Sequence, residues 1–168
     1  MSQLPSPRLV FFGLALLALL AMLFAYYYLQ LHLGLPPCPL CMTQRVAVVA
    51  GGLIALLAAI HNPIHWGRRV YALGCVIAAG FGSAIAGRHV WLQHLPEDQV
   101  PACGPSLSYM LETLPFSETI SLVLMGDGNC AETVWTFMGL SIPEQTLGLF
   151  IVILALSLWQ LLRSSPRG

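Results

Sequence analysis

The chain has 168 residues, of which 57% are hydrophobic and only 8% charged, against roughly a quarter charged in an ordinary soluble domain. That composition excludes a water-soluble globule, because there is too little polar surface to coat one. The formal net charge is zero and there is no lysine, so no basic stripe is present to track a phosphate backbone and nucleic acid is not expected as a partner.

A bilayer core about 30 Å thick takes roughly 20 apolar residues in a helix, at about 1.5 Å of rise per residue. Four stretches approach or exceed that length, residues 9–31, 44–60, 70–88 and 145–162. None carries the polar stripe at a 3.6-residue period that marks a helix of a soluble bundle. The expected fold is therefore an all-α membrane protein, a four-helix transmembrane bundle forming a single domain over 1–168. A secretory signal has an apolar region of only about 7 to 15 residues, whereas the first stretch continues into Tyr26, Tyr27 and Tyr28 and reads as a retained span with an aromatic belt. Small residues recur in the second and third spans (Ala50, Gly51, Gly52, Ala55 and Gly74, Ala78, Gly82), as close approach of membrane helices requires.

Charge orients the spans. Arg8, the pair Arg68 and Arg69, and Arg163 with Arg167 flank the ends that the positive-inside rule assigns to the cytoplasm, so both termini are expected there. All the acidic residues (Glu97, Asp98, Glu112, Glu118, Asp127, Glu132, Glu144) fall in the long loop 89–144, which contains no lysine or arginine. That loop and the short one, 32–43, are expected on the outer, periplasmic side. Arg45 and Arg88 break the pattern by lying at outer span ends, where a long side chain either snorkels to the headgroups or serves a site. Residues from Tyr109 to Met125 suggest a short amphipathic helix in the headgroup plane, or simply a folded loop, with Pro115 unable to sit inside a continuous helix.

Four of the five cysteines share the outer side: Cys38 and Cys41 in the short loop, Cys103 and Cys130 in the long one. An oxidising compartment drives such thiols to disulfides, with three connectivities open. In Pro36-Pro37-Cys38-Pro39-Leu40-Cys41 the two-residue spacing is the one that lowers a thiol pKa and makes exchange reversible. A purely structural bridge there would close too small a ring to stabilise much. A zinc site would ask for a second CxxC or a regularly spaced His pair, which Cys103 and Cys130 do not provide, so no metal is expected. Arg45, four residues after Cys41, shares a face with it if a helix begins near Cys41. There its guanidinium would favour thiolate and could equally hold the carbonyl oxygen of a quinone. Cys75, inside the third span, reads as a small inert hydrophobe. His61 and His65 read as interfacial residues, Pro63 between them arguing against a helical metal pair, and His94 as a surface histidine.

Cys-Pro-Leu-Cys-Met-Thr-Gln-Arg (Cys38 to Arg45), Gly-Arg-His-Val-Trp-Leu-Gln (Gly87 to Gln93), Pro-Ala-Cys-Gly-Pro (Pro101 to Pro105) and Cys-Ala-Glu followed by Trp (Cys130 to Trp135), in this order over nearly the whole chain, resemble the DsbB family of bacterial disulfide-bond formation proteins. The resemblance implies an inner-membrane thiol oxidase. Cys103, paired with Cys130, would be attacked by a reduced DsbA-like periplasmic partner; Cys130 would then attack Cys38 and release Cys41 as a thiolate facing a quinone. Arg45 would position the quinone ring, with His89 near its other side. DsbA sits at about −120 mV, and every 30 mV is worth about 1.4 kcal/mol for two electrons, so the acceptor must be of higher potential: ubiquinone is favoured, and menaquinone would need coupled steps. One departure is Gln44, where some members have Glu, which alters the charge beside Cys41. The alternatives are a structural membrane subunit braced by its disulfides, a metal carrier using Cys38 and Cys41, and a paralogue dedicated to one substrate.

Overall fold

The computed structural model describes residues 5–104 and 107–163; Arg167 and Pro105 lie outside the described residues. Helix α1 (Pro7–Leu23) continues without a break into a π-helical segment, Phe24–His32. Helices α2 (Pro39–His61) and α3 (Trp66–Gln93) follow. A connection then carries a 3₁₀ turn (Glu97–Gln99), α4 (Leu107–Thr113), α5 (Phe116–Met125), α6 (Gly128–Ala131) and a small antiparallel hairpin of β1 (Thr136–Phe137) and β2 (Leu140–Ser141). Helix α7 (Ile142–Leu162) completes the bundle. Four helices, α1 with its π extension, α2, α3 and α7, are long and apolar enough to cross a membrane, and the protein is an all-α, four-helix membrane protein.

The helix ends follow local chemistry. Ser6 caps α1 by accepting the Leu9 N–H, with Pro7 in the first turn where its missing N–H is harmless. Asn62 ends α2 in the left-handed conformation (φ 46°), one that Asn tolerates better than most residues. At the start of α7, Glu144 reaches back to accept the Ser141 N–H at 2.6 Å. All four long helices run beyond the apolar stretches, α2 and α3 the furthest: α2 begins at Pro39 rather than near 44, and α3 extends from Trp66 to Gln93 rather than from 70 to 88. Hydropathy registers the apolar run, whereas backbone hydrogen bonding carries a helix on through polar residues at its ends.

In the bundle α2 packs against α1 and α3, and α3 against α7. The core consists of small residues and a few large ones, including Phe11, Leu14, Ala55, Ala58, Ala72, Ala79 and Phe150. Phe150 lies directly on Gly82, where a Cβ would sit 2.2 Å from its ring, and Ala18 lies on Gly52. Large apolar side chains such as Leu53, Ile77, Phe81 and Ile151 face outward, as a lipid-facing surface demands. Arg8, Arg68 and Arg163 gather at one end, Arg8 donating to Ala59 O and Arg68 to Arg163 O.

At the other end Pro115 separates α4 from α5, and the two are tied by the Thr119 hydroxyl donating to Met110 O. Arg88 does more than snorkel. It lies 5.0 Å over the Trp91 ring and donates to Met125 O, the last carbonyl of α5, at 3.0 Å. It thus fastens the connection to the rim of the bundle.

Candidate functional site

Cys38 is the N-cap residue of α2, extended at φ −69° and ψ 164°, and its sulfur accepts the Cys41 N–H at 3.3 Å. Pro39 at the first helical position needs no partner for the N–H it lacks. The CxxC segment is therefore the first turn of the helix, which places Cys41 at the positive end of its dipole. The sulfurs of Cys38 and Cys41 are 2.9 Å apart, and all five cysteines are free thiols in this structure.

One turn further on, Arg45 turns toward the end of the first span. Its Nη1 donates to Gln30 Oε1 at 2.7 Å and its Nη2 to Ala25 O at 3.1 Å. Ala25 and Gln30 are five residues apart in the π-helical segment, where the i to i+5 pattern stacks them, so both anchors meet one guanidinium. Gln44 is buried and hydrogen-bonds His89 Nδ1 at 3.2 Å, while His89 Nε2 lies 3.8 Å from the Cys38 sulfur. The imidazole is itself buried, at 3% exposure. Although 51 residues separate it from Cys38 in the chain, His89 stands beside the thiol pair.

Cys38, Cys41, Gln44, Arg45 and His89 line one cavity. The cavity is continuous with the outside. Apolar side chains complete much of the lining, among them Met22 and Leu29 from the first span, Val48 from α2 and Leu149 from α7. Trp135 closes another side, its ring packed 6.2 Å from both Phe24 and Tyr28 and stacked on Phe137.

The remaining two cysteines come from the connection. Asp127 caps the short α6 by accepting the Cys130 N–H, and Cys130 is fully buried against Leu40, Ile85, Leu92 and Cys38. Interaction with the Cys38 sulfur, together with its burial, pushes the Cys130 thiol well above the ordinary range. Cys103 is exposed. Its segment is fastened to α6 by the Gly128 N–H donating to Ala102 O at 3.3 Å and by Asn129 donating to Gly104 O. Gly128 makes this approach possible: a Cβ there would lie 2.7 Å from Pro101 O and 3.1 Å from the Cys103 sulfur.

Of the six residues singled out from sequence, four (Cys38, Cys41, Arg45, His89) line the cavity, Cys130 packs on Cys38, and Cys103 stays outside. Cys75 is buried between α2 and α3, 3.8 Å from Gly51 O. Sequence reasoning missed Gln30, Ala25, Gly128 and the part Gln44 plays. Gln30 and Gln44, polar side chains beside apolar runs, carried a signal that such residues face a partner or a cavity. The Gly-Asp-Gly run carried a weaker one, and nothing marked Ala25.

A family model described as Disulfide bond formation protein DsbB matches residues 7–160. The chain is similar to relatives named Disulfide bond formation protein B. That of Saccharophagus degradans is 48% identical over 168 residues, covering 98% of each chain. That of Nitrosococcus oceani is 51% identical over 160 residues, covering 95% of this chain and 94% of its own. That of Hahella chejuensis is 54% identical over 145 residues, covering 86% and 87%.

Proposed function

The chain belongs to the DsbB family of disulfide bond formation proteins and is a disulfide oxidoreductase carried on four membrane-spanning helices; from that premise we propose that it reoxidises a DsbA-like soluble partner and passes the electrons to a membrane quinone. The protein sits in the bacterial inner membrane with its cysteine loops on the periplasmic side and both termini in the cytoplasm. One observation carries the reading: the thiols run from exposed Cys103, through buried Cys130 packed by Cys38, to Cys41 beside Cys38 on the wall of the cavity.

In this reading the resting chain holds the disulfides Cys103–Cys130 and Cys38–Cys41. A partner thiolate attacks Cys103, and Cys130 leaves as a thiolate. Cys130 attacks Cys38, forming a mixed disulfide and expelling Cys41, whose charge is favoured by the helix N-terminus and by Arg45. A quinone in the cavity, ubiquinone by preference and menaquinone by coupled steps, would be the acceptor for the two electrons, with two protons, that are given up when Cys38 and Cys41 reclose at the end of the cycle. Arg45, already anchored by Gln30 and Ala25, has N–H donors left for a carbonyl oxygen of the ring. The second thiol of the partner displaces Cys103, which recloses its bridge with Cys130 and releases Cys38. His89, beside Cys38, supports it as leaving group. Cys38 then closes on Cys41, so each cycle makes one new disulfide in the partner and leaves both of the chain's own restored.

Quinone reduction by the purified chain, followed optically with reduced DsbA as donor, tests the reading. Consumption that vanishes in Cys41→Ser is expected. A chain with intact disulfides that consumes no quinone would overturn it in favour of disulfides that only brace the loops.

A further inference from the structure

We propose that, when Cys38 and Cys41 are reduced, these two sulfurs and His89 form a binding site for a thiophilic metal ion such as Zn²⁺. The three ligand atoms lie within 4.8 Å of one another. This is the donor set, two thiolates and an imidazole, that selects zinc or cuprous copper over harder cations. Spacing along the chain hides the site, since the imidazole arrives from α3, but tertiary packing assembles it.

The dimensions suit an ion. In a tetrahedral site with Zn–S of about 2.3 Å and Zn–N of about 2.0 Å, ligand atoms stand roughly 3.5 to 3.8 Å apart. The 3.8 Å between Cys38 Sγ and His89 Nε2 is about 0.3 Å beyond the sulfur–nitrogen value, the Cys41 sulfur and the imidazole lie within 4.8 Å of each other, and the sulfur pair at 2.9 Å needs to open by roughly 0.9 Å. Both cysteines lie in the first turn of α2 with side chains facing the cavity, so a rotation about χ1 accommodates the opening. The fourth position is left to water from the cavity that all three residues line.

For Nε2 to offer a lone pair, the ring proton must sit on Nδ1 and be accepted by a neighbour. Gln44 is that neighbour at 3.2 Å; its amide can present either oxygen or nitrogen. It is therefore an outer partner that fixes the tautomer of a ligating histidine. Binding exchanges two thiol protons for the cation and moves no electrons. The Cys38–Cys41 disulfide lacks the thiolates and does not bind, so occupancy depends on redox state. The proposal needs only reduced thiols and stands apart from the quinone reading.

The test uses the full chain in detergent, reduced and freed of reductant without air, titrated with zinc against a chromophoric chelator. One ion per reduced chain is expected, and none for the oxidised chain. Cys103→Ser should bind as the wild type does, while Gln44→Leu should weaken binding roughly 10- to 100-fold. X-ray absorption of the zinc-loaded wild type, which avoids any question of misfolding, should show sulfur and imidazole in one shell. A reduced chain that takes up no zinc, equal binding by the oxidised chain, loss of binding in Cys103→Ser, unchanged affinity in Gln44→Leu, or a shell without imidazole would each overturn the proposal.

Discussion

Arg45 carries five N–H donors, and its two terminal nitrogens are each held once, by Gln30 Oε1 at 2.7 Å and Ala25 O at 3.1 Å. Those anchors fix the plane of the guanidinium and leave donors directed at the cavity that it lines with Cys41. Replacing Arg45 with Met keeps much of the length and apolar stem but removes the charge-assisted hydrogen bond that the proposed function gives to a quinone carbonyl. A hydrogen bond to a charged group is worth about 1.5 to 3 kcal/mol. At about 1.4 kcal/mol per tenfold, the KM for quinone should rise roughly 10- to 150-fold while the KM for the reduced partner stays put. Arg45→Lys should recover only part of the loss, since an ammonium cannot reproduce the planar fork. Gln30→Leu, which frees one anchor, should give a smaller rise. Steady-state quinone reduction at saturating reduced DsbA measures all three. A folded Arg45→Met chain with a normal quinone KM would refute the reasoning and leave Arg45 as a residue that only ties α2 to the first span.

Gly82→Ala places a methyl group 2.2 Å from a Phe150 ring that is only 1% exposed, and such overpacking should lower stability by about 1 to 3 kcal/mol; thermal unfolding in detergent at an unchanged midpoint would contradict the packing of α3 on α7. Gly128→Ala pushes against Pro101 O and the Cys103 sulfur, so exchange with the partner at Cys103 should slow while small thiols still reduce the Cys38–Cys41 pair; unaltered partner kinetics would mean the approach is not needed. In the reduced chain, interaction with the Cys38 sulfur and burial hold the Cys130 thiol above the ordinary range, so alkylation of Cys130 in the fully reduced chain should still be accelerating between about pH 8 and about pH 10, and a plateau below about pH 8.5 would count against it. The sign for stability is the reverse. The fold holds this proton more tightly than the unfolded chain does, so the contribution is full below an ordinary thiol pKa of about 8.5 and falls as pH rises beyond it.

The four spans were legible because a bilayer imposes a one-dimensional requirement, a long enough apolar run, and a run can be counted along the chain. The CxxC pair was legible for a related reason. Its two thiols are local, and Pro39 suits the first turn of a helix, so neighbours in sequence are neighbours in space. By itself, then, the sequence determined the all-α membrane class, the thiol chemistry and, through four ordered motifs, the likeness to the DsbB family.

Only the tertiary structure decided what stands beside those thiols. His89 meets Cys38 because α3 packs along α2 with His89 on the facing side, and Gln44 meets the same ring from α2. Neither contact leaves a trace in hydropathy, which records how apolar a segment is and not which of its faces is turned inward. The π-helical winding of Phe24–His32 is equally invisible, since an apolar run reads the same at either pitch, yet it stacks Ala25 and Gln30 beneath one guanidinium. Cys130 reached Cys38 through a connection whose course depends on a glycine allowing two backbones to touch and on Arg88 fastening α5 to α3. Class follows from the solvent each residue prefers and can be summed along the chain; a site follows from which faces pack together, and that is settled only when every helix has found its neighbours.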